Sequence, residues 1–89
     1  MHSLLVTYDL RGRDETSADY AELIRAIKRY RHGKLMLSTW FVVTNRSAEE
    51  VFDDLRPHVD QDDRLLVVPI GRPSKFRKLI DTDAFKVRP

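Results

Sequence analysis

Cysteine is absent from this 89-residue sequence, which excludes disulfide bonds and cysteine-based zinc sites. Small secreted domains usually depend on such cross-links, so we expect a cytoplasmic protein. Long apolar runs are also absent, and Asp9 interrupts the segment in which a signal peptide would be most hydrophobic. No repeat, low-complexity segment or long linker divides the chain, and its length predicts one domain over residues 1–89.

Charge is unevenly distributed, although the formal net charge is only +2. Residues 46–63 contain two Lys or Arg and seven Asp or Glu, which gives −5, whereas residues 71–89 contain six and two, which gives +4. A basic tail beside an acidic middle predicts a molecule with one side that favours nucleic acid. The alternative is that both are ordinary solvated faces, because a charged fraction of 34% is common on soluble surfaces.

The first third of the chain predicts a strand, a loop and a helix. Residues 3–8 are short, β-rich and apolar, as in a central strand. Residues 10–16 are polar and form a loop. Residues 17–32 predict a helix that Gly33 ends, because apolar side chains recur at helical spacing.

The segment over residues 34–44 is strongly β-prone, with Trp, Phe and two valines. It contains no Gly, Pro or Asn, so a two-residue hairpin inside it is not expected. The segment forms either one long strand or two strands that meet at a bend near Ser38 and Thr39.

The second half of the chain contains the clearest helix. Ser47 and Glu50 have the spacing of a capping box, and Pro57 ends the helix that follows. Pro69 must lie near the end of its strand or on a sheet edge. The predicted elements here are a helix over residues 47–56, a turn over 60–63, a strand over 64–70, a short basic helix over 74–80 and a weak strand over 84–88.

This order of elements predicts an α+β domain of ferredoxin-like type. Its βαββαβ core occupies residues 1–70, with two helices on one face of the sheet. Residues 71–89 form a basic tail whose weak strand has no obvious partner in so short a chain. Adding that strand to the edge of a second copy's sheet would satisfy its backbone groups, which predicts a homodimer.

Asp9 is the first candidate for chemistry, because it ends an apolar strand and begins a loop. Strand exits commonly hold metal ligands, since the strand fixes the side chain and the loop admits the ligand. The alternative is an aspartate that caps a turn. Arg11 and Arg13 in the loop place cations beside this carboxylate, as phosphodiester chemistry requires.

The remaining candidates suit nucleic acid. The Ser38 hydroxyl can contact phosphate, and Trp40 can stack on a base, although a strand Trp is more often core. The acidic turn over residues 60–63 lacks the glycine and glutamate of a calcium loop, so it is better explained as the start of a strand. The histidines show no metal-ligand spacing. The basic residues that suit phosphate contact are Arg11, Arg13, Arg25, Lys28, Arg29, Arg72, Lys75, Arg77 and Lys78.

Three segments together resemble the CRISPR-associated Cas-two family, in its divergent solitary or phage-type branch. They are VTYDL at 6–10, STWFVVT at 38–44 and DQDDRLLVVPI at 60–70, and their order and spacing match across residues 3–70. A YD pair after an apolar strand is weakly specific by itself. The three segments in one chain of this length are more specific.

The resemblance implies a ferredoxin-like homodimer with the two sheets face to face, in which Asp9 of both subunits meets at the interface. By that correspondence Asp9 would be the metal ligand and catalytic carboxylate. Two facing carboxylates repel each other, so a divalent cation between them is physically reasonable. Magnesium or manganese there would activate water for attack on a phosphodiester. The resemblance also places Tyr8, Lys34, Ser38 and Trp40 near the site or on the nucleic acid.

One departure concerns the arginines that nuclease members of the family often have at the start of the first helix. This sequence has Ser17 and Asp19 there, so Arg11 and Arg13 would have to substitute. The family also includes scaffolds that hold DNA beside an integrase, and related toxin-like ribonucleases. We therefore expect a metal-dependent endonuclease acting on RNA or DNA. A non-catalytic DNA scaffold with an integrase partner, and a regulatory domain without nucleic acid, stay open as alternatives.

Overall fold

The computed structural model describes residues 2–10 and 18–71. The predicted loop over residues 10–16 therefore lies outside the described part except for Leu10, and the predicted helix and strand of the tail lie outside it entirely. None of the described helices is long and apolar enough to cross a membrane. The elements, in chain order, are β1 (His2–Asp9), α1 (Ala18–Ile27), β2 (Arg31–Met36), β3 (Thr39–Thr44), α2 (Ala48–Leu55), a 3-10 turn (Arg56–His58) and β4 (Arg64–Pro69).

The four strands form one antiparallel sheet in the order β2-β3-β1-β4. With two helices connecting the strands, this is the α+β ferredoxin-like arrangement that the sequence predicts. The central strand β1 pairs with β3 on one side and β4 on the other. Pro69 ends the edge strand β4, as expected for a residue without a backbone N–H to donate.

The two faces of the sheet have different surroundings, because successive strand residues point to opposite sides. On one side, which we call the helix face, Leu4, Val6 and Tyr8 of β1 pack in the core cluster that contains Leu23 of α1 and Val51 of α2. The opposite side, which we call the far face, has its own buried cluster of Leu35, Phe41 and Val43, against which Leu5 and Ile70 pack. Asp9 belongs to the far face, since it alternates with Tyr8.

The prediction that the first helix runs to residue 32 is wrong. Helix α1 ends at Ile27, residues 28–30 form a turn, and Gly33 lies inside β2 with Phe41 as its cross-strand partner. Tyr30 follows the apolar spacing of the helix because it also packs against the core, although it does so from the turn. Spacing along the chain therefore cannot distinguish it from a helical residue. A glycine in a strand leaves room for a bulky neighbour, and here that neighbour is the buried Phe41.

The segment over residues 34–44 is two strands joined by a two-residue turn at Leu37 and Ser38. The expectation against a two-residue hairpin is therefore wrong, and the alternative of two strands meeting near Ser38 is confirmed. Tertiary hydrogen bonds stabilise this turn without Gly or Asn. The Tyr20 hydroxyl donates to the Leu37 carbonyl at 3.2 Å, and the Tyr8 amide donates to the Ser38 carbonyl at 3.1 Å.

Helix α2 begins as the sequence predicts. The Glu50 amide donates to the Ser47 hydroxyl and the Ser47 amide donates to the Glu50 carboxylate, both at 3.1 Å, so the capping box is complete. The backbone hydrogen bond from Ser47 lowers the pKa of Glu50, since it favours the ionised carboxylate. The α-helix ends at Leu55, and Pro57 lies in the 3-10 turn that follows.

The acidic turn before β4 uses its own carboxylate to hold its backbone. The Asp63 amide donates to the Asp60 carbonyl at 3.1 Å, and the Asp60 amide donates to Asp63 Oδ2 at 2.7 Å. These bonds explain the turn as the start of a strand, which is the interpretation that the sequence favours over a calcium loop.

Candidate functional site

The candidate site lies at the end of the sheet where β1 leaves it. Asp9 is the last residue of β1 and its side chain is 65% exposed on the far face. Its cross-strand partner in β4 is Arg64, whose Nη1 lies 3.9 Å from Asp9 Oδ2. The pair opens on a depression of about 200 Å³ whose described lining residues are Thr7, Tyr8, Asp9, Arg64, Leu65 and Leu66.

Arg64 is a residue of this site that the sequence analysis did not single out. The signal was available, because a ferredoxin-like sheet pairs the first and last strands antiparallel. The end of the first strand then lies opposite the beginning of the last one. That topology places the first residue of β4 beside Asp9, and the first residue is an arginine.

Asp9 is the one carboxylate among the described residues that line the depression. Over residues 2–10 and 18–71, no group of three or more His, Asp or Glu side chains is arranged to hold a metal ion. The described residues of a single chain thus offer one carboxylate ligand at this position. Magnesium commonly binds through one or two carboxylates and completes its shell with water and substrate phosphate, so the donor type fits this ion.

Tyr8 precedes Asp9 but lies on the helix face, where it is only 5% exposed. Its hydroxyl accepts the Trp40 indole N–H at 3.0 Å and lies 2.9 Å from the Tyr20 hydroxyl, which donates in turn to the Leu37 carbonyl. The two tyrosine rings meet edge to face with centroids 5.7 Å apart. This buried chain of hydrogen bonds joins β1, α1, β3 and the β2–β3 turn, and it fixes the end of β1 from which Asp9 extends.

Ser38 lies at the same end of the sheet as Asp9. Its carbonyl accepts hydrogen bonds from the Tyr8 amide and from the Thr7 hydroxyl, both at 3.1 Å. The Thr7 hydroxyl also lies 3.1 Å from that of Thr39. These bonds tie the β2–β3 turn to β1, so Ser38 contributes to the framework of the site through its backbone.

Trp40 is 3% exposed and belongs to the core cluster of the helix face. Its indole is held between the Tyr8 hydroxyl and the Lys34 ammonium, which lies 5.5 Å from the ring centroid. The stacking role considered for Trp40 requires an exposed ring face, which this position does not offer. The burial agrees instead with the core role that the sequence analysis kept as its alternative.

Three of the predicted basic residues come together on the helix side of the sheet. Arg25 of α1 and Lys34 of β2 line a groove of about 450 Å³ between these two elements, and Lys28 lines it too. Arg29 is exposed but is not among the residues that line the groove. Arg11 and Arg13 lie outside the described residues. The structure therefore places the predicted Asp9, with its partner Arg64, on the far face and the predicted Arg25, Lys28 and Lys34 in a basic groove on the helix side.

No protein-family model matches the chain, and no curated protein sequence matches it. Among solved structures, the chain is similar to the crystal structure of a hypothetical protein, TT1823, from Thermus thermophilus. The TM-score is 0.66 over 88% of this chain and 93% of that one, with 22% sequence identity. At this identity the likeness establishes a shared fold. The sheet order and the two helices of this chain are those of a ferredoxin-like arrangement.

Proposed function

We propose that this protein is a nucleic-acid-acting homodimer of the cytoplasm and a Mg²⁺- or Mn²⁺-dependent endonuclease. Asp9 is its metal ligand and catalytic carboxylate. The observation that supports this best is the position of Asp9, an exposed carboxylate at the exit of a central strand with a guanidinium 3.9 Å away. The resemblance of the β1, β3 and β4 segments to the Cas-two family points to the same chemistry.

A second copy of the chain supplies a second carboxylate to this position. The described residues of one subunit contribute one carboxylate to the depression, whereas two subunits that meet there contribute two. Two close carboxylates repel each other, and a divalent cation between them removes that repulsion. The metal site therefore depends on the dimer, and the dimer is stabilised in turn by the metal.

The far face offers apolar surface next to Asp9 for such a contact. Leu66 is 51% exposed and lies two residues along β4 from Arg64, and Leu5 and Val68 beside it are half-buried. Phe41 is already fully buried within one chain, whereas the described residues of the β1–β4 half of the face keep apolar surface that a partner can cover. Burying that half against its copy favours association and brings the two Asp9 side chains toward each other.

The chain's own residues then have separate parts in the reaction. When bound, the divalent ion supplies a water of lowered pKa for attack on the phosphodiester. Asp9 holds the ion, and the guanidinium of Arg64 can turn from the carboxylate to a phosphate oxygen to offset its charge. The hydrogen-bonded chain through Tyr8 keeps the end of β1 rigid, so Asp9 projects from a fixed backbone.

A non-catalytic DNA scaffold that works beside an integrase is the second candidate function. The specific observation in its favour is that Asp9 already has Arg64 as a charge partner. In that case the pair is a structural feature of the interface, and the basic residues on the helix side carry the binding of DNA.

The deciding experiment measures cleavage of labelled RNA and DNA, single- and double-stranded, by the purified chain with Mg²⁺, Mn²⁺ or a chelator. We compare the wild type with Asp9→Asn, which keeps the size of the side chain and removes its charge. The matched control is Asp53→Asn, which removes an exposed carboxylate from α2 on the other side of the sheet.

We expect metal-dependent cleavage by the wild type and by Asp53→Asn. Asp9→Asn should lose at least about 100-fold of that activity, because even groups behind a metal ligand contribute 10–100-fold. Binding of DNA without cleavage of any substrate would favour the scaffold. If the protein neither binds nor cleaves nucleic acid, the regulatory domain is the remaining explanation.

A further inference from the structure

The groove between α1 and β2 is a second charged feature, distinct from the depression at Asp9. Its volume is about 450 Å³, and its described lining residues are Tyr20, Ala21, Ile24, Arg25, Lys28, Lys34 and Trp40. Three of these residues are basic and none is acidic. Unbalanced positive charge in a concave surface attracts an anionic ligand.

Two of the three cations of this groove are available for a ligand. Arg25 and Lys28 are exposed and lie three residues apart on α1, so their side chains are neighbours on one face of the helix. Within the described part of the chain, neither of them forms an ion pair. Lys34 approaches from the neighbouring strand, with its ammonium held over the Trp40 ring at 5.5 Å.

The floor of the groove is rigid before any ligand arrives. Tyr20 and Trp40 both hydrogen-bond to the Tyr8 hydroxyl, at 2.9 and 3.0 Å, and both are buried. Ile24 also packs against the core cluster. Because the floor does not have to reorganise, the backbone that carries the cationic side chains is already fixed when a ligand binds.

We infer that this groove binds consecutive phosphates of a single-stranded nucleic-acid backbone. The groove is open to solvent and does not enclose a ligand, which suits contact with part of a polymer. A small ligand usually needs a site that encloses most of its surface. The inference rests on the proposed function and adds to it a holding site separate from the metal centre.

The separation of the two sites follows from the alternation of the strands. Lys34 and Trp40 are cross-strand partners on the helix side, whereas Asp9 and Arg64 are partners on the far face. In a dimer formed through the far face, the two grooves lie on the outside of the assembly. Substrate can therefore be held in a groove while Asp9 carries no metal.

The test uses the full chain with a chelator present, so that no cleavage takes place. Trp40 is the one tryptophan of the sequence and lines the groove, so its fluorescence reports a ligand there. The probe is a 5′-labelled 12-nucleotide single strand, titrated by anisotropy and by tryptophan fluorescence. The variants are Arg25→Ala and Lys28→Ala, and Arg29→Ala is the control with the same change in net charge outside the groove lining.

We expect Arg25→Ala and Lys28→Ala each to weaken binding about two- to fivefold, as exposed charge contacts do. Arg29→Ala should bind as the wild type does. Phosphate contacts by Arg25 and Lys28 also predict that binding by the wild type falls about sevenfold between 50 and 200 mM salt, from a slope of about −0.7 per contact on a single strand. Equal losses in all three variants, or no change in tryptophan fluorescence on binding, would overturn the groove.

Further titrations distinguish the source of the phosphate and the fate of the proposed function. A mononucleotide or inorganic phosphate that saturates the fluorescence change at the concentration of the oligonucleotide would contradict a polymer site. Asp53→Asn, which lies outside both the groove and the depression, should bind the oligonucleotide unchanged. If the protein binds the oligonucleotide through the groove but cleaves nothing, the proposed nuclease activity is wrong and the proposed binding site is supported. If it cleaves nucleic acid and Arg25→Ala and Lys28→Ala do not affect cleavage, the nuclease activity is supported and the proposed binding site is wrong.

Discussion

Tyr8 and Asp9 are neighbours in the sequence, and the sheet places them in opposite environments. Tyr8 is 5% exposed, and its hydroxyl joins a buried network with Trp40 and Tyr20. Asp9 is 65% exposed at its side chain and is paired with Arg64 across a distance of 3.9 Å. The comparison indicates that two adjacent residues can have different structural parts, since one holds the framework and the next is exposed to solvent.

The largest expected effect that separates the two residues is on stability. Tyr8→Ala should lower the free energy of unfolding by about 3–5 kcal/mol, as truncation of a buried aromatic does. Asp9→Ala should change it by less than about 0.5 kcal/mol, because its ion pair is exposed. Urea unfolding followed by circular dichroism measures both. Equal losses in the two variants would contradict the division of roles.

A smaller effect tests whether the Tyr8 network acts as a unit. Trp40→Phe and Tyr8→Phe each remove one partner of the hydrogen bond between them, and each should cost about 1–3 kcal/mol because the other partner stays buried without it. The double variant should cost less than the sum of the two, since both partners are then gone. Additive losses would show that this hydrogen bond contributes little.

A third tyrosine provides a case between Tyr8 and Asp9. Tyr30 is half-buried, its hydroxyl donates to Asp54 Oδ2 at 2.6 Å, and it accepts a hydrogen bond from Arg46 at 3.2 Å. Burial, followed by the hydrogen bond to Asp54, raises the pKa of Tyr30, although the hydrogen bond from Arg46 opposes the shift. The hydroxyl is therefore easier to ionise in the unfolded chain than in the folded one.

The sign of this pKa shift gives a pH dependence. A tyrosine with a raised pKa in the folded state contributes its stability below the ordinary value of about 10, and that contribution is lost as the pH rises through the folded pKa. The free energy of unfolding of the wild type should thus fall more steeply above pH 10 than that of Tyr30→Phe. Parallel curves for the two proteins at pH 8 to 11 would exclude Tyr30 as the cause.

The fold could be predicted from the sequence where local signals and the tertiary structure agree. The capping box of Ser47 and Glu50 specifies the start of α2 by local hydrogen bonds alone, and the apolar runs of β1 and β4 mark two strands, of which only the central β1 is buried. The turn at Leu37 and Ser38 could not be predicted, because its carbonyls are satisfied by Tyr20 and Tyr8 from distant parts of the chain. Propensity along a segment contains no information about such donors.

The candidate site shows the same limit. Asp9 stands out in the sequence as an acid at a strand exit. Arg64 can be recognised as a residue of the site only from the pairing of β1 with β4, which places it opposite Asp9. The division of the basic residues between groove and surface likewise depends on how α1 packs over the edge of β2. Residue type suggests the chemistry, and the three-dimensional arrangement decides which residues share it.

The smallest expected effect concerns the ion pair that faces the Tyr8 network across the sheet. Arg64→Gln should change the free energy of unfolding by less than about 0.5 kcal/mol, because both side chains are largely exposed at 73% and 65%. It should nevertheless raise the affinity for Mn²⁺ about two- to fivefold, since the guanidinium no longer competes with the cation for Asp9. Isothermal titration with Mn²⁺ measures this change, with Arg56→Gln on the 3-10 turn as the control. An affinity that falls in Arg64→Gln would indicate that the arginine positions the carboxylate instead of competing for it.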